Sequence, residues 1–407
     1  MKITFLTYDG LLDPLGKSQI LPYLLKLRPH VDEMQIISFE KKEKVNSKDF
    51  LDLSKNLSNM NIFWIHHTFT ASKFSLFKVI DIANFYKSFI WNCIIFKPTI
   101  VHARGHPMAI FACAIKKIFN FKLLFDYRGM WPDEKLSKGT WNLKFATHRV
   151  MYKFFKRWEL NLLSKSDYLV FLTERVRNHF INSEKPLIKK SSIIPCAADY
   201  TLFNFSDYSS EKKFLKSSLS FENNLVLGYL GSIGPLYDFK GYLNLIKVGL
   251  ENHLSISGLV ITNNLEDAEE EISRFDFKKN NPSIKCLTLS REEVPKYLQL
   301  FSYLVSFCTI SKSIIGASPT KIGEALSLGV PIISNSGVGD IDSIINETKC
   351  GILLEDTSIE SLQTCINELR NQSFNKDFVR KESQKFFDLN IAFREYLNIY
   401  KTLDSDS

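Results

Sequence analysis

One stretch constrains this chain more than any other: Ser318-Pro319-Thr320-Lys321-Ile322-Gly323-Glu324-Ala325-Leu326-Ser327-Leu328-Gly329-Val330-Pro331-Ile332-Ile333-Ser334-Asn335-Ser336-Gly337-Val338-Gly339-Asp340. Ser318 suits a helix N-cap and Pro319 the first helical position, where a missing N–H costs nothing. Gly329 stops the helix, and Val330 to Ser334 then reads as a strand buried on both faces. A helix start offers free N–H groups and the positive end of a dipole, which favour a phosphate. Lys321 adds a cation beside it. Glu324, one turn inside, can accept hydrogen bonds from two ribose hydroxyls. Together these meet the needs of a nucleoside diphosphate. The same residues also read as a capped helix packed on a strand, and spacing alone leaves both readings open.

The segment from Pro319 to Leu326, followed by Leu328-Gly329-Val330-Pro331-Ile332-Ile333, resembles the donor-binding signature of family 4 glycosyltransferases. The resemblance implies the GT-B fold, an α/β architecture of two Rossmann-like domains with parallel sheets facing across a cleft. It also implies that Glu324 binds the ribose of a sugar nucleotide. Many family members carry a second Glu eight residues earlier, where this chain has Gly316. The Pro-Thr-Lys variant resembles a subgroup from bacterial surface-polysaccharide synthesis, such as capsule or lipopolysaccharide.

At 407 residues the chain is long enough for two domains, and 45% hydrophobic with 24% charged residues describes a globular protein. Seven scattered cysteines without a Cys-x-x-Cys pair point to reduced thiols in a cytoplasm. Met1 to Tyr8 leads directly into a strand pattern, so no signal peptide is expected. The net charge of +8 conceals an asymmetry: residues 1–200 hold 31 Lys and Arg against 17 Asp and Glu, and the remainder is acidic. A basic half suggests an anionic surface. No aromatic RNA-binding signature or helix-turn-helix accompanies it, so a membrane surface is expected and nucleic acid is not.

Taken in order, Lys2 to Tyr8, Gln35 to Phe39, Asn61 to Ile65, Thr99 to Ala103, Lys122 to Asp126 and Tyr168 to Leu172 read as strands of a first α/β domain. Gly16-Lys17-Ser18 falls short of a phosphate loop, because five residues separate Gly10 from Gly16 where that motif requires four. Asp13, Gly16 and Gln19 match the family's N-terminal loop near donor phosphate and acceptor. Arg104, Asp126, Arg128, Asp133 and Glu134 follow strand ends, where open α/β sheets place ligands. Arg128 stands where many family members carry an active-site His. A permanent cation cannot act as a base, but it can stabilise phosphate charge or orient an acceptor. The alternative is an ion pair of Arg128 with Asp133 or Glu134.

Phe69 to Phe96 reads as an amphipathic helix, lying on a bilayer or packed over the sheet. Arg149, Lys153, Lys156 and Arg157 form a basic stripe, either solvated or facing acidic lipid. Ile193 to Phe203 resembles the segment closing the first domain, and Ser206 to Ser220 reads as a linker. These readings divide the chain into an acceptor domain, 1–205, a nucleotide-sugar domain, 206–385, and a helix, 386–407, returning to the first domain.

In the second domain Leu225 to Leu230, Leu259 to Thr262, Ile284 to Leu289, Tyr303 to Phe307 and Cys350 to Leu354 continue a parallel sheet, and Arg291 to Pro295 begins a helix. By resemblance, the Gly231-Ser232 loop and Lys240 contact donor phosphates; Ser232 replaces a usual Arg. The expected donor set is Gly231, Ser232, Lys240, Ser318, Pro319, Thr320, Lys321 and Glu324, with Lys240, Lys321 and Arg128 in catalysis. Asp340-Ile341-Asp342 suggests a helix cap or sugar contact rather than a metal site, and neither cofactor nor metal is expected. The expected reaction is retaining, metal-independent transfer from a UDP- or GDP-sugar to a lipid-linked or saccharide acceptor, at the cytoplasmic face of the inner membrane. A sugar-nucleotide epimerase of the same fold, or a nucleotide-sugar-binding protein without catalysis, is the alternative.

Overall fold

A computed structural model describes residues 1–68, 75–182, 190–204, 209–277 and 283–405. The chain forms two compact units, Met1–Ile194 with Ala392–Ser407, and Pro195–Ile391. Both are α/β with parallel sheets. In the first, β1 (Lys2–Thr7), β2 (Glu33–Glu40), β3 (Ile62–Thr68), β4 (Ile100–Arg104), β5 (Lys122–Tyr127), β6 (Tyr168–Phe171) and β7 (Ser191–Ile193) align in the order β3-β2-β1-β4-β5-β6-β7. In the second, β8 (Leu225–Leu230), β9 (Ile256–Ile261), β10 (Ile284–Leu287), β11 (Tyr303–Ser306), β12 (Ile332–Asn335) and β13 (Gly351–Leu354) align as β10-β9-β8-β11-β12-β13.

The central strands are apolar on both faces because helices cover both faces, the pattern that parallel pairing requires. Ile332 and Ile333 are fully buried on opposite sides of β12. In each sheet the strand order reverses once, between β1 and β4 and between β8 and β11. Reversal leaves a crevice at the carboxyl ends of those two strands, and ligands of open α/β sheets bind there.

Several expectations are corrected. Ser206 to Ser220 is not a linker: Ser209–Ser218 is a helix, and Leu215 is buried in the second core. The segment expected to close the first domain belongs, from Pro195 on, to the second unit. Ala198, Tyr200 and Phe203 join that core, and Arg380 donates to the carbonyls of Tyr200 and Phe203. Such an apolar segment is better buried than left as a hinge. Residues 392–407 belong with the first unit, where the Tyr400 hydroxyl lies 2.8 Å from His102 Nδ1.

The stretch expected to be amphipathic from Phe69 lies outside the described residues as far as 74. From there Ser75–Phe96 is a helix that buries Phe85, Phe89, Cys93 and Phe96 and exposes Trp91, Ile94 and Ile95. Among the described residues no helix is long and apolar enough to cross a membrane.

Candidate functional site

The helix of the organising stretch spans Thr320–Ser327. It starts one residue later than the sequence suggests, because Ser318 is not its cap. The Ser318 hydroxyl instead accepts the backbone N–H of Cys196 at 3.0 Å, and Pro319 occupies the cap position without a side-chain bond. Gly329 ends the segment with φ +68°, a conformation that a side chain disfavours.

Lys321 sits in the first turn of this helix and is only 7% exposed. Its Nζ has no hydrogen-bond partner among the described residues. It lies 3.9 Å from the centre of the Tyr237 ring and 5.1 Å from that of Tyr229. Burial pushes the ammonium down to about 8. A Cβ built on Gly231 would come within 3.9 Å of Nζ, which places Lys321 at the carboxyl end of β8, beside the strand reversal. An almost fully buried cation with ring faces beside it and no hydrogen-bond partner among the described residues is poised for an anion.

Glu324 is buried, and one carboxylate oxygen meets Arg291 at 2.5 Å. Arg291 also stacks over the Phe203 ring at 5.0 Å. Its role went unread in the sequence, although it follows the carboxyl end of β10 as the other candidates follow theirs. Arg291 precedes its helix, which runs Val294–Leu298.

The remaining donor candidates are more open. Lys240 is exposed in the first turn of the helix Phe239–Glu251. Asp238 caps that helix by accepting the N–H of Gly241 at 2.8 Å. Ser232 is exposed, and its carbonyl accepts the Tyr229 hydroxyl at 2.8 Å. Asp340 stands at the start of Ile341–Thr348, but its side chain makes no cap bond. Asp342 anchors the glycine loop, accepting Ser336 Oγ at 2.8 Å and the N–H of Gly337 at 3.0 Å. The two carboxylates thus have separate tasks.

In the first unit, charged groups gather where β1 and β4 diverge. Arg104 is buried, with Nε 3.5 Å from Asp9 and Nη1 3.7 Å from Asp126. Arg128 lies 3.6 Å from Asp126, so it pairs with its own strand end. The expected alternative, a pair with Asp133 or Glu134, is corrected. Burial alone would raise the Asp126 carboxyl, but Arg128, His102 and Arg104 together hold it at about 2.

Asp133 and Glu134 do not join this group. Asp133 is buried and accepts the Tyr152 hydroxyl and Lys156 Nζ, each at 2.9 Å; Glu134 pairs with Lys138 at 3.3 Å. Lys156 also pairs with fully buried Glu159, which accepts the Tyr127 hydroxyl at 2.8 Å and contacts His106 Nε2 at 3.1 Å. Lys156 therefore does not belong to the basic stripe. It ties two helices together, while Arg149, Lys153 and Arg157 remain exposed. One helix residue in a periodic run can point inward, and composition does not show which.

The N-terminal loop is held by Glu40, another residue missed in the sequence. Its carboxylate accepts the N–H of Leu11 at 2.7 Å and Ser38 Oγ at 2.8 Å. Gly16 is a steric necessity: a Cβ there would lie 2.1 Å from the Gly10 carbonyl oxygen. It brings backbone close to backbone at Gly10 and Leu11. Asp13 pairs with Lys41 and Lys44, each at 3.1 Å, and Gln19 is buried in the helix Pro14–Gln19.

Residues 210–385 match the family described as "Glycosyl transferases group 1". The capsular polysaccharide biosynthesis glycosyltransferase CapM of Staphylococcus aureus is 21% identical over 268 residues, covering 63% of this chain and 68% of its own. Among solved structures, HepE of Anabaena in complex with UDP and glucose is similar over all of both chains, with TM-score 0.69 and 16% identity. Sucrose-phosphate synthase from Thermosynechococcus elongatus is similar over all of both chains, with TM-score 0.72 and 12% identity. The structural likenesses place the fold in the GT-B class. The family match and CapM support a glycosyltransferase.

Proposed function

We propose that this protein transfers a glycosyl group, with retention of configuration, from a nucleoside-diphosphate sugar to a saccharide or lipid-linked acceptor in cell-surface polysaccharide synthesis. The observation that carries the reading is Lys321, a buried ammonium without a hydrogen-bond partner among the described residues, in the first turn of the helix that also bears Glu324. The diphosphate would meet Lys321 and the N–H groups of that first turn. Glu324, oriented by Arg291, would accept from the ribose hydroxyls. Charge grows on the diphosphate as the glycosyl bond breaks, so a cation fixed in a dry site lowers the barrier without rearranging. Lys240, exposed in a neighbouring first turn, would add a second cation; no step here requires a metal.

The first unit would take the acceptor near Arg104, Asp126 and Arg128. Asp126, held ionised, suits a hydrogen bond from an acceptor hydroxyl, and Arg128 orients that carboxylate. Membrane contact would run along the helix Ala146–Lys165. Its exposed Val150, Met151 and Phe154 stand beside exposed Arg149, Lys153 and Arg157. Apolar side chains flanked by cations suit an acidic lipid surface, and the cytoplasmic leaflet of the inner membrane is such a surface.

The test is a panel of UDP- and GDP-sugars scored by thermal stabilisation, followed by product analysis with and without lipid-linked acceptor. A ligand at a hundred times its Kd adds about 2.7 kcal/mol. One sugar nucleotide should stabilise the protein and be consumed only with acceptor, giving a product of unchanged anomeric configuration. Consumption without acceptor would indicate an epimerase. Binding without turnover on any acceptor would indicate a protein that has lost catalysis.

A further inference from the structure

The sheet of the second unit ends at β13, which among the described residues pairs with β12 alone. Along its free side runs a groove of about 720 Å³, between the helices Ile341–Thr348 and Ile359–Asn371. Those helices pack on opposite faces of the sheet, the first through Ile341, Ile344 and Ile345, the second through Leu362, Cys365 and Ile366. The groove therefore lies where one more strand would continue the sheet. Asn346 and Lys349 line one side of it, Glu368 and Asn371 the other, and Gly351 and Leu353 the strand between them.

Alternation along the strand decides which backbone groups face the groove. The carbonyls of Cys350 and Leu354 accept from the β12 side, from the N–H groups of Ile332 at 3.2 Å and Ser336 at 2.7 Å. Ile352, between them, faces β12 as well, so Gly351 and Leu353 direct their N–H and C=O groups outward. Among the described residues these outward groups have no hydrogen-bond partner. A strand edge in this state invites another strand. The run Gly351-Ile352-Leu353-Leu354 holds neither the proline nor the charge that blunts a free edge. Its charges stand at the two ends instead. Lys349 lies three residues before Ile352 and Glu355 three residues after it, both exposed and neither in an ion pair among the described residues.

We propose that β13 pairs with β13 of a second copy of this chain, antiparallel about a two-fold axis at Ile352. In that register Gly351 lies opposite Leu353 of the second copy, and the two exchange N–H···O bonds, so every outward group finds a partner. Lys349 comes opposite Glu355 of the second copy, and the axis repeats the pair, so opposite charges meet at both ends of the strand. Moving the axis to Gly351 or to Leu353 would set Lys349 opposite Leu353 or Thr357 and lose this match. An unrelated strand would have to supply both charges itself; a second copy supplies them by symmetry.

The experiment is sedimentation velocity on the full chain over a concentration series. The wild type should pass from monomer to dimer as concentration rises. Leu353→Pro removes an outward donor and leaves the β12 ladder intact, so it should melt near the wild type and dimerise at least tenfold more weakly. Lys349→Glu and Glu355→Lys should each weaken dimerisation at least tenfold, since like charges then meet at both ends. Mixed in equal amounts, these two charge variants should form a heterodimer of wild-type affinity, because each supplies the charge that the other has lost. A merely structural role for these surface residues would not produce that rescue. A dimer that survives Leu353→Pro and both reversals, or charge variants that stay apart when mixed, would overturn the proposal. So would a wild type that stays monomeric throughout, which would leave the edge to an extended segment of another protein.

Discussion

Replacing Lys321 with Met should raise stability and lower nucleotide affinity at once. Burial holds the ammonium at about 8 against an ordinary 10.5, so keeping it charged at pH 7 costs about 3 kcal/mol. The ring faces of Tyr237 and Tyr229 return part of this, roughly 0.5–2 kcal/mol. Met fills a similar volume without a charge, so the ligand-free variant should gain about 1–3 kcal/mol. For a unit of this size each kcal/mol is worth about 2–4 °C in Tm. Affinity for UDP should fall by roughly 1.5–3 kcal/mol, the worth of a charge-assisted hydrogen bond, or about ten- to 150-fold. Uridine, which has no phosphate, should bind both proteins equally. The pH dependence carries a definite sign. Below about 8 the buried cation is charged and its cost fully present; that cost is relieved as pH rises from 8 towards 10.5. The ligand-free wild type should gain on the variant over that interval while its UDP affinity declines. Differential scanning calorimetry and isothermal titration measure both quantities. A Lys321→Met protein that melts lower than the wild type, or that binds UDP as well, would refute the reasoning.

Glu324→Ala should weaken UDP binding by about 1.5–3 kcal/mol, and the loss should shrink for 2′,3′-dideoxy-UDP, which lacks the ribose hydroxyls; Arg291→Ala should show the same pattern in titration. Lys240→Ala should depress kcat more than donor affinity, since its charge counts most as the diphosphate leaves, and an unchanged kcat removes it from the reaction. Glu159 is held at about 2: burial alone would raise its carboxyl, but His106 and Lys156 outweigh this. Its contribution, about 3 kcal/mol, is full above pH 4.5 and is lost as pH falls towards 2. Glu159→Gln should flatten the acid limb of a stability–pH curve. Charge reversal at Lys153 and Arg157 should release the protein from acidic vesicles while transfer to a soluble acceptor survives; sedimentation at low and high salt reads the difference.

What was legible in the sequence was periodic. The central strands, such as β1, β4, β8 and β12, follow from short apolar runs, because burial on both faces leaves no other pattern. The three-residue β7 has no sequence signature, since three residues carry no period. The polar composition of Ser206 to Ser220 suggests a linker because it hides the inward Leu215 of the helix Ser209–Ser218. Side-chain partnerships were the least legible. Arg291 meets Glu324 across 33 residues, and Lys156 reaches Asp133 across 23. Neither separation has a period, so only the fold brings these partners together. Ser318 shows the same limit, for a good cap residue was drawn to a different backbone N–H.

Charge balance favours the second unit for the proposed diphosphate, although the first is the more basic by composition. Around the β1–β4 reversal, Arg104 and Arg128 face Asp9 and Asp126, two cations against two anions within 3.7 Å. A matched set offers an incoming dianion little surplus charge, and removing Asp126 from it would take a counter-charge from buried Arg104 and half-buried Arg128. Such a set suits a neutral hydroxyl, which can donate to a carboxylate that stays ionised down to about pH 2. Around Lys321 the balance is open: Glu324 is paired with Arg291, and among the described residues the ammonium has ring faces rather than a carboxylate beside it. The excess of Lys and Arg in the first half is carried instead by side chains such as Lys144, Arg149, Lys153 and Arg157, all exposed. Net charge therefore reports on the surface that a unit shows to its surroundings. Unmatched buried charge bears on the ligand a unit can take, and on that measure Lys321 is the better candidate for the proposed diphosphate.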